Sequence, residues 1–302
     1  MLAGPRHGIE IKGLGNGADL ASLPFQLIPQ WPVLGPILGP TKGPALGSRD
    51  APDSASVDDI TIQRNGDHWQ IASPHMAIDD HDLDDGYMAA NALIGALIAA
   101  YVAQDDALVS IHAGAVRIGD GLILLLGDNE SGKSTFATVL ASRGQRFFAD
   151  DRLILNLADA TPMGSSLAIA PKLRLPLPEE ADDAYRDFVA GNGVLNWPEM
   201  AVLRPGEDQA AAFGESLVVR ALVVLRRETA TAQPAQPTLS AMRQPDMVRV
   251  LLEQLYAPHL TQQGELSACV RLAQGTEIWQ LHYASAFAAA DTIVEHFSAD
   301  AP

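Results

Sequence analysis

The alternation and clustering of apolar positions are sharpest between residues 107 and 156, where they predict strands, a tight turn and a helix in quick succession. Residues 107–118 read as one strand, Gly119-Asp120-Gly121 as the turn, and residues 122–126 as an unbroken apolar strand returning antiparallel to it. Residues 135–142 carry a short helix that Gly144 can end, and residues 145–149 form another strand whose exit holds Asp150-Asp151. Further on, the apolar run 217–225 predicts a strand closed by Arg226-Arg227. Within an expected helix over 245–256, Val248, Leu251, Leu252 and Leu255 recur at helical spacing and belong in the core. Strands near 268–272 and 278–282 and a last helix over 286–297 are expected to complete the domain. Helices and strands mixed in this way imply an α/β fold with a mixed sheet.

The first 106 residues have a different texture. Repeated Gly-Pro steps in 28–56 disfavour regular hydrogen-bond ladders and predict a connector or a mobile lid, the connector being favoured. Residues 60–62 and 69–71 read as short strands on either side of Asn65-Gly66, a favourable hairpin turn. The acidic stretch 79–85 reads as a loop before an apolar helix over 88–103, whose 16 residues fall short of an ordinary membrane span. The division expected is therefore a variable region, 1–106, followed by a second domain, 107–302.

Composition narrows the choice. The chain has 302 residues, 47% of them hydrophobic and 19% charged, which is a globular balance with enough length for a large core. A formal charge of -17 argues against a broad nucleic-acid surface and is compatible with a basic peptide or protein substrate. Cys269 is the only cysteine, so an intrachain disulfide and a cysteine-based metal cluster are both excluded, and a buried free thiol is expected. The opening MLAGPRHGIEIK lacks the apolar segment of a secretory signal, so a cytoplasmic protein is the expectation.

Chemistry enters directly after the apolar strand. Gly127-Asp128-Asn129-Glu130-Ser131-Gly132-Lys133-Ser134 satisfies the full GxxxxGK[ST] pattern, and with Thr135 it is the candidate nucleotide-binding segment. Such a loop turns successive backbone amides toward phosphate oxygens at a helix N-terminus, while Lys133 adds a mobile positive charge and Ser134 can ligate Mg²⁺. The GxGxxG of a dinucleotide-binding unit is missing here, so phosphate-directed chemistry on ATP or GTP is the better reading. Glu130 sets a further negative charge beside the phosphates, which is unfavourable unless its side chain points away, binds metal or pairs with a base.

Asp150 and Asp151 follow the next strand. Consecutive strand residues point to opposite faces, yet a turn at the strand exit can aim both carboxylates at one pocket. One can then hold Mg²⁺, directly or through water, while the other orients and deprotonates a hydroxyl nucleophile.

His112-Ala113 before the hairpin, the phosphate loop, and Arg143-Gly144-Gln145-Arg146-Phe147-Phe148-Ala149-Asp150-Asp151 after the helix together resemble the catalytic domain of bacterial HPr kinase/phosphorylase and the broader HPr-kinase-like serine kinases. The resemblance is clearest over 107–156, weaker onward to 297, and does not identify the first hundred residues. It implies a compact P-loop kinase fold, also related to phosphoenolpyruvate carboxykinase, with 107–302 as the nucleotide-binding domain. It further implies ATP-dependent phosphorylation of a serine hydroxyl. Carried over by motif, Asp150 resembles the general base, Asp151 a metal-associated carboxylate acting with Ser134, and His112 a histidine that positions phosphate or tunes the acidic pair. This chain has His-Ala where those enzymes have His-Gly, and Glu130 where relatives have a small residue. Ala170-Pro171-Lys172-Leu173-Arg174-Leu175-Pro176 resembles a segment of relatives associated with peptide modification, where Lys172 or Arg174 could meet phosphate or substrate. The separate glycine-rich signature tied to dephosphorylation has no convincing counterpart.

The combined expectation is a Mg²⁺- and ATP-dependent kinase acting through Lys133, Asp150 and His112 on a serine of a peptide or protein, a lasso-peptide precursor being one acceptor that the resemblance suggests. Two alternatives stay open: a nucleotide-sensing interaction protein with a degenerate kinase site, for which Glu130 is the argument, and a small-molecule kinase. The resembled family often assembles, so a homo-oligomer is compatible with it; neither nucleic acid nor a membrane is expected as a partner.

Overall fold

The computed structural model describes residues 9–14, 27–28, 30, 58–65, 68–76, 86–128, 131–197, 199–228 and 236–298. Its backbone divides into two units, Ala3–Asp106 and Ala107–Pro302. The first holds β1 (Ile9–Leu14), β2 (Asp58–Asn65), β3 (His68–Ala72) and helix α1 (Gly86–Val102). β2 and β3 pair antiparallel with Asn65 opposite His68, the hairpin that Asn65-Gly66 favours, although residues 66–67 lie outside the described residues. β1 joins β2 in parallel, a pairing that no local pattern announces. Ile60, Ile62, Trp69 and Ile71 are buried, as period-2 alternation across a half-covered sheet requires. α1 is largely apolar and mostly buried from Ala89 to Val102, whereas Met88 in its first turn is 53% exposed. Among the described residues no helix is long and apolar enough to cross a membrane. Apart from residues 28 and 30, the Gly-Pro connector expected over 28–56 lies outside the described residues, as does the acidic loop at 79–85.

The second unit is organised on a ten-stranded mixed sheet. In chain order it runs β4 (Leu108–His112), β5 (Gly114–Ile118), β6 (Gly121–Leu126), α2 (Lys133–Ser142), β7 (Arg146–Ala149), β8 (Arg152–Asn156), β9 (Met163–Ser166), β10 (Lys172–Arg174) and α3 (Asp183–Asn192). There follow β11 (Gly193–Trp197), β12 (Met200–Leu203), β13 (Ser216–Arg227), β14 (Thr238–Ala241), α4 (Gln244–Gln254), β15 (Leu255–Tyr256), α5 (Gln262–Gln274), β16 (Glu277–Tyr283) and α6 (Ala286–Ser298). β13 is the spine. It pairs antiparallel with β9 at its start and in parallel with both β6 and β16 beyond, with Val224 level with Leu126 and Arg227 level with Tyr283. β10, β11 and β12 form a separate three-stranded sheet.

β6 reads Gly-Leu-Ile-Leu-Leu-Leu because both faces of the sheet are covered, which replaces alternation by a continuous apolar run. Ile123 and Leu125 join Phe136, Val139 and Leu140 of α2 and Ile293 of α6 in one core. Leu122, Leu124 and Leu126 join Met247 and Leu251 of α4 and Cys269 and Leu272 of α5 in the other. The result is helices on both faces of a mixed sheet.

The structure departs from four sequence expectations. Residues 107–118 are two strands broken at Ala113, because β4 pairs with β8 and β15 while β5 pairs with β6 and β7. The apolar positions shift from odd (Val109, Ile111) to even (Val116, Ile118) across the break, placing the two pairs in different cores. The helix expected over 245–256 ends at Gln254; Leu255 and Tyr256 instead lie antiparallel to Ile111 and Ser110. Leu252, expected in the core, is 46% exposed, whereas Leu251 is fully buried. The strand expected near 268–272 is the middle of α5, started by Thr261, whose side chain accepts the Gly264 N–H. Ala268, Cys269, Leu272 and Ala273 face inward from it, and burial pushes the Cys269 thiol to about 12.

Candidate functional site

β6 feeds directly into the phosphate-loop segment, and α2 begins at Lys133. The loop needs glycine at both ends. Gly127 sits at φ 153° and Gly132 at φ 90°, and a Cβ on Gly127 would come within 2.7 Å of Ser131 Oγ. Gly132 is the residue before the helix and supplies no side-chain cap, so the first-turn amides of α2 are left for another partner. Asp128 is exposed and its carbonyl accepts the Ser131 N–H at 3.1 Å. Asn129 and Glu130 lie outside the described residues, so the charge question raised by Glu130 stays with the sequence.

Lys133 is buried, and its Nζ donates to the Gly127 carbonyl at 2.8 Å and the Asp128 carbonyl at 3.0 Å. Burial pulls its pKa below the ordinary lysine value, against the opposing pull of Asp151, Asp150 and Asp128. The Ser134 carbonyl accepts Thr138 Oγ1 at 2.8 Å, and the same Thr138 hydroxyl meets Tyr185 Oη at 3.0 Å.

The acidic pair splits into two environments. Asp150 is 3% exposed; its Oδ2 accepts the Lys172 backbone N–H at 2.9 Å, and its Oδ1 has no hydrogen-bond partner among the described residues. Burial pushes its carboxyl above the ordinary range. The Ser134 side chain, the Lys172 N–H and the Lys172 charge oppose that shift, Ser134 without completing a hydrogen bond to Oδ1. Asp151 is 41% exposed, with Oδ1 3.3 Å from His112 Nε2 and Oδ2 3.7 Å from Lys172 Nζ. The expected turn at the strand exit therefore brings the neighbouring carboxylates to opposite sides of Lys172, one on its backbone and one on its ammonium.

His112 looks like the cation of an ion pair by distance alone, but its pKa is lowered to about 4. Burial is the largest cause, followed by the positive charge of Lys133, and the attraction of Asp151 does not overcome them. The imidazole is neutral near pH 7, and its contact with Asp151 is that of a neutral donor with a carboxylate.

The structure thus gathers His112, Lys133, Ser134, Asp150, Asp151 and Lys172 at one end of the sheet. Arg174, two residues along β10, is exposed. Sequence reasoning missed Arg152, which lies level with His112 and adds to the pull on its pKa. It also missed Thr138, Tyr185 and Tyr283, the last donating from Oη to the Ser131 carbonyl at 2.8 Å. Arg152 follows the acidic pair directly and could have been found from that adjacency; Tyr185 and Tyr283 carry no local signal.

Among the described residues no group of three or more His, Cys, Asp or Glu side chains could hold a metal by itself. A Mg²⁺ shared with phosphates does not need one, since it takes one or two carboxylates and keeps phosphate oxygens and waters for the rest. Ser134 and the exposed Asp151 fit that requirement, and the two glycines that a Cβ would crowd fit a phosphate cradle.

No family model matches the chain, and no curated protein matches it. Among solved structures it is similar to the Hpr(Ser) kinase/phosphatase from Coxiella burnetii, at 13% identity and a TM-score of 0.31, covering 62% of this chain and 95% of that one. The likeness is remote and concerns the fold alone, so the functional assignment rests on this chain's own residues and their geometry.

Proposed function

We propose that the chain is an ATP-dependent kinase that phosphorylates a serine hydroxyl in a peptide or protein, with residues 107–302 as its nucleotide-binding domain. The observation that carries this reading is the meeting of the phosphate-loop Ser134 with a buried carboxyl, Asp150, whose Oδ1 has no hydrogen-bond partner among the described residues. An unpaired buried oxygen is costly and rare, and a reacting hydroxyl is a partner that would satisfy it.

Lys133 would exchange its Gly127 and Asp128 carbonyls for phosphate oxygens, and the first-turn amides of α2 would complete the cradle. Ser134 and Asp151 would hold Mg²⁺, which when bound neutralises phosphate charge. Lys172 holds Asp150 through its backbone and lies beside Asp151 through its side chain, so it sets the spacing of the acidic pair. Neutral His112 orients Asp151 without cancelling its charge. In the transfer, the serine Oγ bonds to the γ-phosphorus as the bond to the β–γ bridging oxygen breaks, and Asp150 takes the hydroxyl proton. Its raised pKa suits a group that must hold that proton. Arg174, exposed along the same strand as Lys172, would meet the acceptor chain.

The test is transfer of γ-labelled phosphate from ATP into the native soluble peptide and protein pool, followed by identification of the labelled residue. Label on a serine is the expected result. Saturable nucleotide binding without transfer would overturn the kinase reading in favour of a nucleotide sensor, and label on a small molecule would replace the substrate class.

A further inference from the structure

The phosphate loop is fastened from behind by a residue far along the chain. Tyr283 ends β16, is 1% exposed, and donates its hydroxyl to the Ser131 carbonyl at 2.8 Å across 152 positions of sequence. Its ring packs edge-on against Phe136 in the first turn of α2, with centroids 5.5 Å apart at 72°. Its own carbonyl accepts the Glu228 N–H at 2.8 Å, which anchors the residue to the chain leaving β13. Burial pushes the phenol to about 12, so it stays protonated and able to donate.

The position of this contact matters because a peptide unit is planar and trans. The Ser131 carbonyl and the Gly132 N–H belong to one such unit and point in opposite directions. Holding the carbonyl therefore sets the direction of the Gly132 amide, the last one before α2. The approach is close: a Cβ on Gly132 would lie 3.2 Å from the Tyr283 hydroxyl, so the residue that must be glycine for its φ also leaves room for the tie. At the other end of the loop, Lys133 holds the Gly127 and Asp128 carbonyls. Phosphate binding would draw Lys133 away, and the Tyr283 tie would then hold the loop together with the Ser131 N–H donated to the Asp128 carbonyl.

We propose that Tyr283 is a positioning residue that presets the phosphate loop, so that its amides meet polyphosphate without first being ordered. The proposal rests on the nucleotide-binding reading of the loop. It does not require that a serine be phosphorylated.

Tyr283→Phe removes the hydroxyl and keeps the ring on Phe136. Two measurements test it. In the nucleotide-free protein, hydrogen–deuterium exchange of peptides covering 127–134 should quicken about 2- to 10-fold, the weight of one hydrogen bond, while the sheet strands keep wild-type protection. In titrations, affinity for ATP and for inorganic tripolyphosphate should fall together by about the same factor, since the tie acts on the phosphate cradle. Unchanged loop exchange, or faster exchange spread over the whole sheet, overturns the proposal and leaves Tyr283 a packing residue. Unchanged affinity for both probes alongside faster loop exchange also overturns it, because a loosened loop would then bind as well as a preset one. If the wild type binds neither probe, the nucleotide-binding reading fails and this proposal falls with it, while loop exchange still shows separately whether the tie orders the loop.

Discussion

Asp150→Asn separates the proposed catalytic role of the buried carboxyl from a structural one. Asparagine keeps the volume and an acceptor for the Lys172 N–H, now bonded to Oδ2 at 2.9 Å, and removes the charge. A lost general base costs about 10²- to 10⁴-fold in transfer rate, which is about 3–5 kcal/mol of transition-state stabilisation. Lys133 and the loop amides are untouched, so ATP affinity should stay within about threefold of wild type. Stability should move the other way. Burial raises the Asp150 pKa in the folded protein, so the group stabilises the fold below its unfolded value, and that contribution is lost as pH rises through the folded one. Where pH exceeds the raised folded value, the wild type carries a buried charge that the variant lacks. The variant should therefore have the higher Tm there, with the advantage shrinking as pH falls toward about 4. The assays are single-turnover transfer of labelled phosphate, calorimetric titration with ATP, and thermal melts across that pH range. Transfer at the wild-type rate would refute the proton-acceptor role. A parallel loss of transfer and ATP affinity, with a lowered Tm at every pH, would make Asp150 a structural residue only.

His112 should titrate near 4, not near 6.5, when its ring resonances are followed by NMR. Because its folded pKa is lowered, the stability it contributes is present above the unfolded value and is lost as pH falls through the folded one. A midpoint near 6.5 would contradict the neutral imidazole. Gly275→Ala would set a Cβ 2.6 Å from Pro162 Cδ and 2.8 Å from the Ala160 carbonyl. Overpacking of that kind should lower denaturant stability by about 1–3 kcal/mol without altering ATP affinity, and a change below about 0.5 kcal/mol would show that the loop at 160–162 yields freely.

The parts of this protein that are legible one segment at a time are those whose physics is local. The glycine spacing of the phosphate loop, the apolar run of β6, the Gly119-Asp120-Gly121 turn and the placing of Asp150-Asp151 at a strand exit all follow from backbone conformation and period. Local reading failed where a tertiary partner made the choice. Ala268 to Leu272 suit either a strand or a helix, and it was the Thr261 cap and a core-facing α5 stripe that decided for helix. The change of alternation phase within 107–118 marks a break, but alternation is blind to which neighbour each half will choose.

The site divides along the same line. The proposed phosphate cradle was written in consecutive positions, since a tight anion cradle is a local backbone feature. How they work together was set by distance in space. Burial under the sheet and the Lys172 amide gave the adjacent carboxylates opposite environments. Desolvation beside Lys133 held His112 neutral, and a tyrosine 152 positions away fastened the loop. Desolvation and long-range hydrogen bonds depend on which segments meet, and that is fixed only when the sheet assembles.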